Sequence, residues 1–195
     1  NLENVRASEI GTSSVLIDRY ILGKTRKLIS NISDHMDNYE ITDACAEITD
    51  FIDVLNNWYI RRSRPRFWDK AKSQEVLSAY NTLYSVLTNF FRVLAPFLPL
   101  VSEFAYKTLT NRNSVHLEDW PSQDYFVEES DLIEKMDFVR QIVSVALSIR
   151  KINNLRVRQP IKSVTIISSD LDIEWLSEYE DLIKEEINTK TIIHS

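Results

Sequence analysis

The chain has 195 residues and a net charge of −6, and it contains one cysteine, two glycines and five prolines. A chain of this length can bury a core without disulfides. A single cysteine excludes both a disulfide framework and a multi-cysteine zinc cluster. So few glycines argue against β-sandwiches, β-barrels and Gly-rich phosphate-binding loops. The apolar runs are shorter than the roughly 18 residues of a membrane span, and the start lacks a signal-peptide pattern. We therefore expect a cytoplasmic protein with no membrane partner and, since Asn1 is not Met, a piece of a longer chain.

Apolar periodicity predicts three long helices in the first half of the chain. Residues 14–38 carry apolar side chains at three- and four-residue steps, with Ser or Asp as the expected N-cap. A second helix is predicted to start at Thr42 as N-cap and to end or bend near Pro65, which disfavours helical geometry in the residue before it. Cys45 on this helix is expected in the core. The third helix is predicted over 74–95.

Two prolines, Pro96 and Pro99, separate the third helix from a shorter fourth one. Four helices joined by short turns in about 110 residues favour an antiparallel bundle. We assign residues 1–125 to this bundle. The fourth helix is expected to turn four residues inward: Val101, Phe104, Ala105 and Leu109.

The remaining residues, 126–195, are predicted to form a small α+β subdomain. A helix over 131–153, with Ile149 among its inward residues, precedes a β-branched, strand-like segment at 163–168. A second helix at 172–187 leads to another strand at 190–194. Two strands joined by a helix in about thirty residues pair in parallel through a right-handed crossover.

Basic residues are concentrated in two segments of an otherwise acidic chain. Residues 58–72 contain six basic and one acidic residue, and residues 149–162 contain five basic and no acidic ones. These segments together carry +10, which leaves −16 on the rest of the chain. Such a distribution focuses positive potential on limited surfaces and suits a polyanion.

The segment 56–68 combines four arginines with four aromatic residues. Guanidinium groups suit phosphates and base edges, and aromatic rings stack on unpaired bases with about 1–3 kcal/mol per base. The same residues are also typical of a helix end packed in a core, with the arginines paired to Asp50, Asp53 or Asp69. The second basic segment has a different pattern. Arg156 and Arg158 alternate with apolar residues, so an extended strand would present both arginines on one side, where they could bind a polyanion. Alternatively, the two arginines only keep a solvated strand edge charged.

Catalytic and metal-binding patterns are absent from the sequence. The three histidines lie far apart with no H-x-x-x-H pair, the adjacent acidic pairs do not share a helical face, and no serine has an identifiable His and acid. We predict neither a catalytic nor a metal site.

Six stretches resemble class I aminoacyl-tRNA synthetases, most specifically the isoleucyl branch. The most specific is Asn57-Trp58-Tyr59-Ile60-Arg61-Arg62-Ser63-Arg64 with Arg66-Phe67-Trp68, which is similar to the signature of the anticodon-binding bundle. Residues 18–22, 93–104 and 114–121 are similar to the opening helix, the Leu-Ala-Pro junction and the Ser-Val-His-Leu-x-Asp-Trp-Pro segment of that bundle. The stretches at 155–160 and 184–188 are similar to a small C-terminal subdomain in the longer isoleucyl enzymes.

The resemblance implies a tRNA-binding piece of a larger enzyme. The catalytic signatures of the family, His-Ile-Gly-His and Lys-Met-Ser-Lys-Ser, do not occur here, so this piece is expected to perform no chemistry and to bind no cofactor. The parent enzyme would use ATP and Mg²⁺ to join isoleucine to its tRNA. The expected partners are isoleucine tRNA and the remainder of the synthetase chain.

Two hypotheses follow for the basic segments. In the first, the chain docks the anticodon stem-loop. In the second, it is a structural or protein-interaction bundle whose basic segments pair with an acidic partner or with its own acidic faces. The same module from a valyl or leucyl enzyme is a further alternative. For the first hypothesis the candidate tRNA contacts are Arg61, Arg62, Arg64, Arg66, Trp58, Trp68, Lys70, Lys151, Arg156 and Arg158.

Overall fold

A computed structural model describes residues 7–69, 73–167 and 174–194. The chain divides into two compact units, Asn1–Ser130 and Asp131–Ser195. The helices are α1 (Leu16–Asp37), α2 (Ile41–Asp53), α3 (Arg61–Trp68), α4 (Gln74–Leu94), α5 (Pro99–Thr110), α6 (Ser130–Ile152) and α7 (Glu180–Ile187); the strands are β1 (Ile161–Ile166) and β2 (Thr189–His194). Short 3-10 turns occupy Val115–Leu117, Gln123–Tyr125 and Glu174–Tyr179.

The first unit is built around α1. This helix packs against both α2 and α4, and α4 packs against α5. Short connections between contacting helices make neighbours antiparallel. The core consists of large side chains on the facing surfaces, among them Tyr20, Ile21 and Tyr59, which are fully buried. The predicted mainly α fold, a bundle followed by a small α+β subdomain, is confirmed.

Helix α2 continues into α3 without a break. A π-helical segment, Val54–Ile60, joins them, and the backbone stays helical through Asp53, Ile60 and Arg61. Pro65 lies inside α3, and the backbone first becomes extended at Asp69. The predicted end of the helix near Pro65 is therefore wrong, since the helix accommodates the missing N–H of Pro65 and continues to Trp68.

Several local expectations fail because neighbouring elements, not periodicity alone, decide which face is covered. Helix α5 buries Ser102 and Tyr106, whereas Val101 and Phe104 are 57% and 75% exposed. Cys45 is exposed on α2. The predicted N-caps are also wrong: α1 and α2 begin after Val15 and Glu40, with no capping side-chain hydrogen bond.

A closing segment, residues 118–129, returns along α1. Arg19 holds Glu129 through two hydrogen bonds of 2.6 Å, and Arg26 donates to the carbonyl oxygens of Gln123 and Phe126. Trp120 Nε1 donates to Ser33 Oγ at 2.9 Å. Side chains of α1 therefore fix both ends of the segment.

The second unit contains the two-stranded sheet. β1 and β2 pair in parallel, with Ile161 opposite Thr189 and Ile166 opposite His194, as the sequence predicted. Helix α7 packs against β2. Ile149 of α6 is exposed rather than inward, while Val139 and Val143 are buried as expected.

No helix within the described ranges combines the length and the apolar character that crossing a membrane requires.

Candidate nucleic-acid interface

The face of α3 that points to solvent carries Arg61, Arg64 and Trp68. These positions are three and four residues apart, so a helix places them on one side. All three side chains are exposed, Trp68 to 79%. We call these three residues the arginine stripe. Among the described residues Arg64 has no ion pair, which leaves its guanidinium available to a phosphate.

The π-helical segment determines how Arg61 is held. The Arg61 N–H donates to the carbonyl oxygens of Asn56 and Trp58, so it does not serve the Asn57 carbonyl as it would in an α-helix. The Arg61 side chain donates from Nε to that oxygen at 2.8 Å. One edge of the guanidinium is thus fixed to the helix.

Arg66 points the other way and binds a buried carboxylate. Its Nη1 and Nη2 donate to Oδ1 and Oδ2 of Asp18 at 2.7 and 2.8 Å, and Nη2 also donates to the Glu75 carbonyl oxygen at 3.1 Å. Asp18 is fully buried, and the Arg66 side chain is 17% exposed. This paired geometry ties α3 to α1.

Three hydroxyl groups complete the coordination of Asp18. The hydroxyls of Tyr59, Ser78 and Ser13 donate to its two oxygens at 3.1, 2.9 and 3.2 Å. Burial raises the pKa of the Tyr59 hydroxyl, and the charge of Asp18 raises it further, so Tyr59 stays protonated and donates. Partial burial lowers the pKa of Arg66, but the hydrogen bonds and charge of Asp18 outweigh this and hold it above its usual value.

Trp58 and Arg62 form a second internal contact. Trp58 is 4% exposed, and the guanidinium carbon of Arg62 lies 5.6 Å from the centre of its ring. A buried indole has no face for a nucleotide base. Its ring instead offers a cation–π contact that orients Arg62.

The aromatic and basic residues predicted at 58–70 therefore divide into two groups. Arg61, Arg64 and Trp68 lie together on the surface, Trp58 and Arg66 lie inside, and Arg62 is half-buried between them. Lys70 lies outside the described residues.

The second basic segment is a turn-rich loop. We call residues 151–160 the basic loop; its first two residues are the end of α6 and the rest are turns. All ten residues are exposed, among them Lys151, Arg156 and Arg158. Gln159 N donates to the Arg156 carbonyl at 2.9 Å, so the segment is a turn and β1 begins only at Ile161. The alternation of arginines with apolar residues does not correspond to a strand here.

Two residues that organise these surfaces were missed in the sequence. Asp18 lies three and four residues before the buried Ile21 and Leu22, so it is an acid on the apolar face of α1. Arg150 of α6 is 3% exposed and lies seven residues after buried Val143. A charged residue within an apolar periodicity is the signal that identifies both positions, because such a residue requires an internal partner.

One group of side chains has the chemistry of metal ligands. His35, Glu40 and Asp43, at the turn between α1 and α2, bring ligand atoms within 4.8 Å of one another. His35 Nδ1 and Glu40 Oε2 already share a hydrogen bond of 2.8 Å, and the group lies at the protein surface. We assign no metal to it.

Known proteins are similar in sequence to this chain over most of its length. Residues 18–166 match the family described as the anticodon-binding domain of tRNA ligases. The isoleucine–tRNA ligase of Tropheryma whipplei (strain Twist) is 44% identical over 180 aligned positions, which cover 92% of this chain and 16% of that protein. Isoleucine–tRNA ligases of Bifidobacterium longum (strain NCC 2705) and Rickettsia bellii (strain RML369-C) are 40% and 38% identical, covering 96% and 100% of this chain and 17% and 19% of those proteins.

The chain spans less than a fifth of the length of these relatives. The resemblance to the anticodon-binding region of isoleucyl-tRNA synthetases, predicted from the arginine and aromatic residues at 57–68, is confirmed. The chain belongs to the anticodon-binding domain family of tRNA ligases.

Proposed function

We propose that this chain is the anticodon-binding part of an isoleucine–tRNA ligase and that it docks the anticodon stem-loop of isoleucine tRNA on the arginine stripe. The observation that carries the proposal is the outward orientation of Arg61 and Arg64 beside an exposed indole, Trp68, on one helical face. Arginine forks bind phosphate oxygens, and an exposed ring stacks on an unpaired base. Because anticodon loops present unpaired bases, the two chemistries match one ligand.

The buried members of the sequence motif support this surface from behind. We assign Arg66 to anchoring α3 on Asp18, because its forked donors are already used there. We assign Trp58 to orienting Arg62, and Arg62 to the edge of the surface. Lys70 remains a proposed contact on the sequence alone.

The basic loop is the second proposed contact. Lys151, Arg156 and Arg158 are exposed, and no acidic residue occurs between positions 149 and 162. A phosphate backbone that reaches this loop would meet three cations within eight residues. Each phosphate neutralised on a single strand contributes about −0.7 to the slope of log K against log salt.

The chemistry of aminoacylation belongs to the remainder of the parent enzyme. We propose that the parent uses ATP and Mg²⁺ to join isoleucine to tRNA in the cytoplasm, and that this chain supplies tRNA binding only. The names of the relatives support this assignment.

The test compares Arg64→Glu with Lys107→Glu, a charge reversal of equal size at an exposed lysine of α5 that pairs with Glu103 of the same helix at 3.7 Å. Both variants are titrated with isoleucine tRNA and with the same tRNA carrying a different anticodon, at two salt concentrations. We expect Arg64→Glu to weaken binding of isoleucine tRNA about tenfold or more and to lower the salt slope, since one charge-assisted contact is worth about 1.5 kcal/mol or more. Lys107→Glu should change affinity less than about twofold, since it removes no phosphate contact.

Equal effects of the two variants would remove the arginine stripe from the binding surface. If the affinity of the wild-type chain for tRNA changes neither with salt concentration nor with the anticodon, the alternative is favoured, a protein-interaction bundle.

A further inference from the structure

The basic loop is held in place by a buried guanidinium. Arg150 donates from Nη1 to the Ile187 carbonyl oxygen at 3.2 Å and from Nη2 to the carbonyl oxygens of Arg156 and Gln159. In return, Leu155 N donates to the Arg150 carbonyl at 2.8 Å. One residue at the end of α6 thus contacts the loop at three points and the end of α7 at a fourth.

The Nη1 and Nη2 atoms of this cation donate to main-chain carbonyls, whereas its buried Nε has no acceptor among the described residues. A buried charge is unfavourable unless its donors are satisfied, and a forked guanidinium satisfies several carbonyls at once. The two loop carbonyls belong to Arg156 and Gln159, which flank Arg158 in sequence. Their positions determine where the side chains of Arg156 and Arg158 leave the backbone.

Apolar packing contributes little to the conformation of the loop. Leu155 and Val157 are 38% and 46% exposed, so apolar packing is limited. One additional tether comes from Asn188, whose Nδ2 donates to the Val157 carbonyl at 2.9 Å. Apart from the hydrogen bonds of its own turns, the loop is tethered by two polar side chains, Arg150 and Asn188, which are anchored in α6 and at the end of α7.

We propose that Arg150 is a positioning residue for tRNA binding: it contacts no nucleotide and acts by holding Arg156 and Arg158 in a fixed arrangement beside Lys151, which lies in the last turn of α6. The inference rests on the proposed function, since the ligand of the basic loop is the tRNA backbone. A preformed set of cations binds more tightly than the same cations on a mobile loop, because ordering the loop opposes binding.

The experiment is a thermodynamic cycle in the full chain. Arg150→Met is made in the wild type and in a chain carrying Lys151→Ala, Arg156→Ala and Arg158→Ala, and all four proteins are titrated with isoleucine tRNA. If Arg150 acts through the three cations, Arg150→Met weakens binding about fivefold or more in the wild type and less than about twofold once they are absent. A general loss of folding would weaken binding equally in both chains.

Two further variants show whether weaker binding comes from the lost charge, from impaired folding or from the released loop. Arg150→Lys keeps the charge but replaces the fork with one ammonium group, so we expect weaker binding than wild type with an unchanged salt slope. Asn188→Gly removes the other tether while allowing the backbone φ of 51° found at this position. If Arg150→Met does not fold, Asn188→Gly takes its place in the cycle, with faster hydrogen exchange at the Leu155 and Gln159 amides as the sign of a released loop.

The outcomes distinguish the inference from the function on which it rests. If the triple alanine variant binds isoleucine tRNA as well as wild type, the basic loop is not a tRNA contact and that part of the proposed function fails. If the triple variant binds at least tenfold more weakly but Arg150→Met and Asn188→Gly bind like wild type, the loop needs no positioning and only the inference is overturned.

Discussion

Replacing Asp18 by Asn should strongly destabilise the helical unit. The change keeps the size of the side chain but removes the charge that faces Arg66 and replaces one acceptor oxygen by an NH₂ group. The NH₂ group would face hydrogen-bond donors, since Ser13, Tyr59, Arg66 and Ser78 all donate to Asp18. The Arg66 guanidinium would then remain largely buried with no opposite charge.

The free energy of unfolding that Asp18→Asn loses can be obtained from the hydrogen bonds to Asp18 or from the cost of breaking a buried ion pair. Five hydrogen bonds to a charged group, at about 1.5–3 kcal/mol each, would sum to more than about 7 kcal/mol. That is a large part of the roughly 5–15 kcal/mol that stabilises a typical domain, so desolvation of the carboxylate must offset much of it. Breaking one side of a buried pair typically costs about 3–5 kcal/mol. Because Arg66 keeps 17% of its side chain in solvent, we expect the lower value, about 3 kcal/mol.

Urea unfolding followed by circular dichroism measures this loss. With a slope of about 2 kcal/mol per molar urea, a loss of about 3 kcal/mol lowers the midpoint by about 1.5 M. The control is the double variant Asp18→Asn/Arg66→Met, which removes the stranded charge and should be more stable than Asp18→Asn alone. A loss below about 1 kcal/mol in the single variant, or no recovery in the double variant, would refute the assignment of this pair as the anchor of α3.

Two other substitutions test contacts elsewhere in the first unit. Gly11→Ala would place a Cβ too close to the carbonyl oxygen of Tyr125. We therefore expect urea unfolding to show a loss of about 1–3 kcal/mol in the free energy of unfolding. A gain of roughly 0.4–1 kcal/mol, which is usual for Gly→Ala at an unstrained site, would contradict this close approach. Glu103 is partly desolvated, which raises its pKa, but hydrogen bonds from Val115 N and Ser114 Oγ outweigh this and lower the pKa below its usual value. A depressed carboxyl pKa stabilises the fold above the unfolded-state value of about 4.3 and loses that contribution as pH falls through the folded pKa. The stability difference between wild type and Glu103→Gln should therefore shrink between pH 6 and pH 3, and a difference that stays constant would show that Glu103 is not stabilised in its charged form.

The sequence predicted the helices and strands better than the faces they bury. Periodicity located α4 almost to the residue, although its buried positions include Thr82, Ser85 and Thr88. Leu77, Leu83 and Leu87 of the apolar pattern are only partly buried. On α5 the same reasoning selected Val101 and Phe104, yet the buried residues are Ser102 and Tyr106. Which side of a short helix is covered depends on the elements around it, and a local pattern contains no information about them.

The candidate site shows the same limit. Four arginines interspersed with aromatic residues predicted a basic surface. The pattern did not distinguish Arg64 from Arg66, although Arg64 faces solvent and Arg66 pairs with Asp18. The partner of Arg66 lies 48 residues earlier in the chain. The packing of both α1 and α3 against α4 and the π-helical segment brings these two charges together.

The attachment of the closing segment to α1 determines when the first unit can be completed during synthesis. Arg19 and Glu129 are 110 residues apart in the chain, and the contacts of Arg26 with Gln123 and Phe126 span 97 and 100 residues. At about 5–20 residues per second, a ribosome needs roughly 5–20 s to make the intervening chain. For that interval a nascent α1 carries cations whose carboxylate and carbonyl partners do not yet exist, so the seam along α1 is necessarily among the last parts of this unit to form.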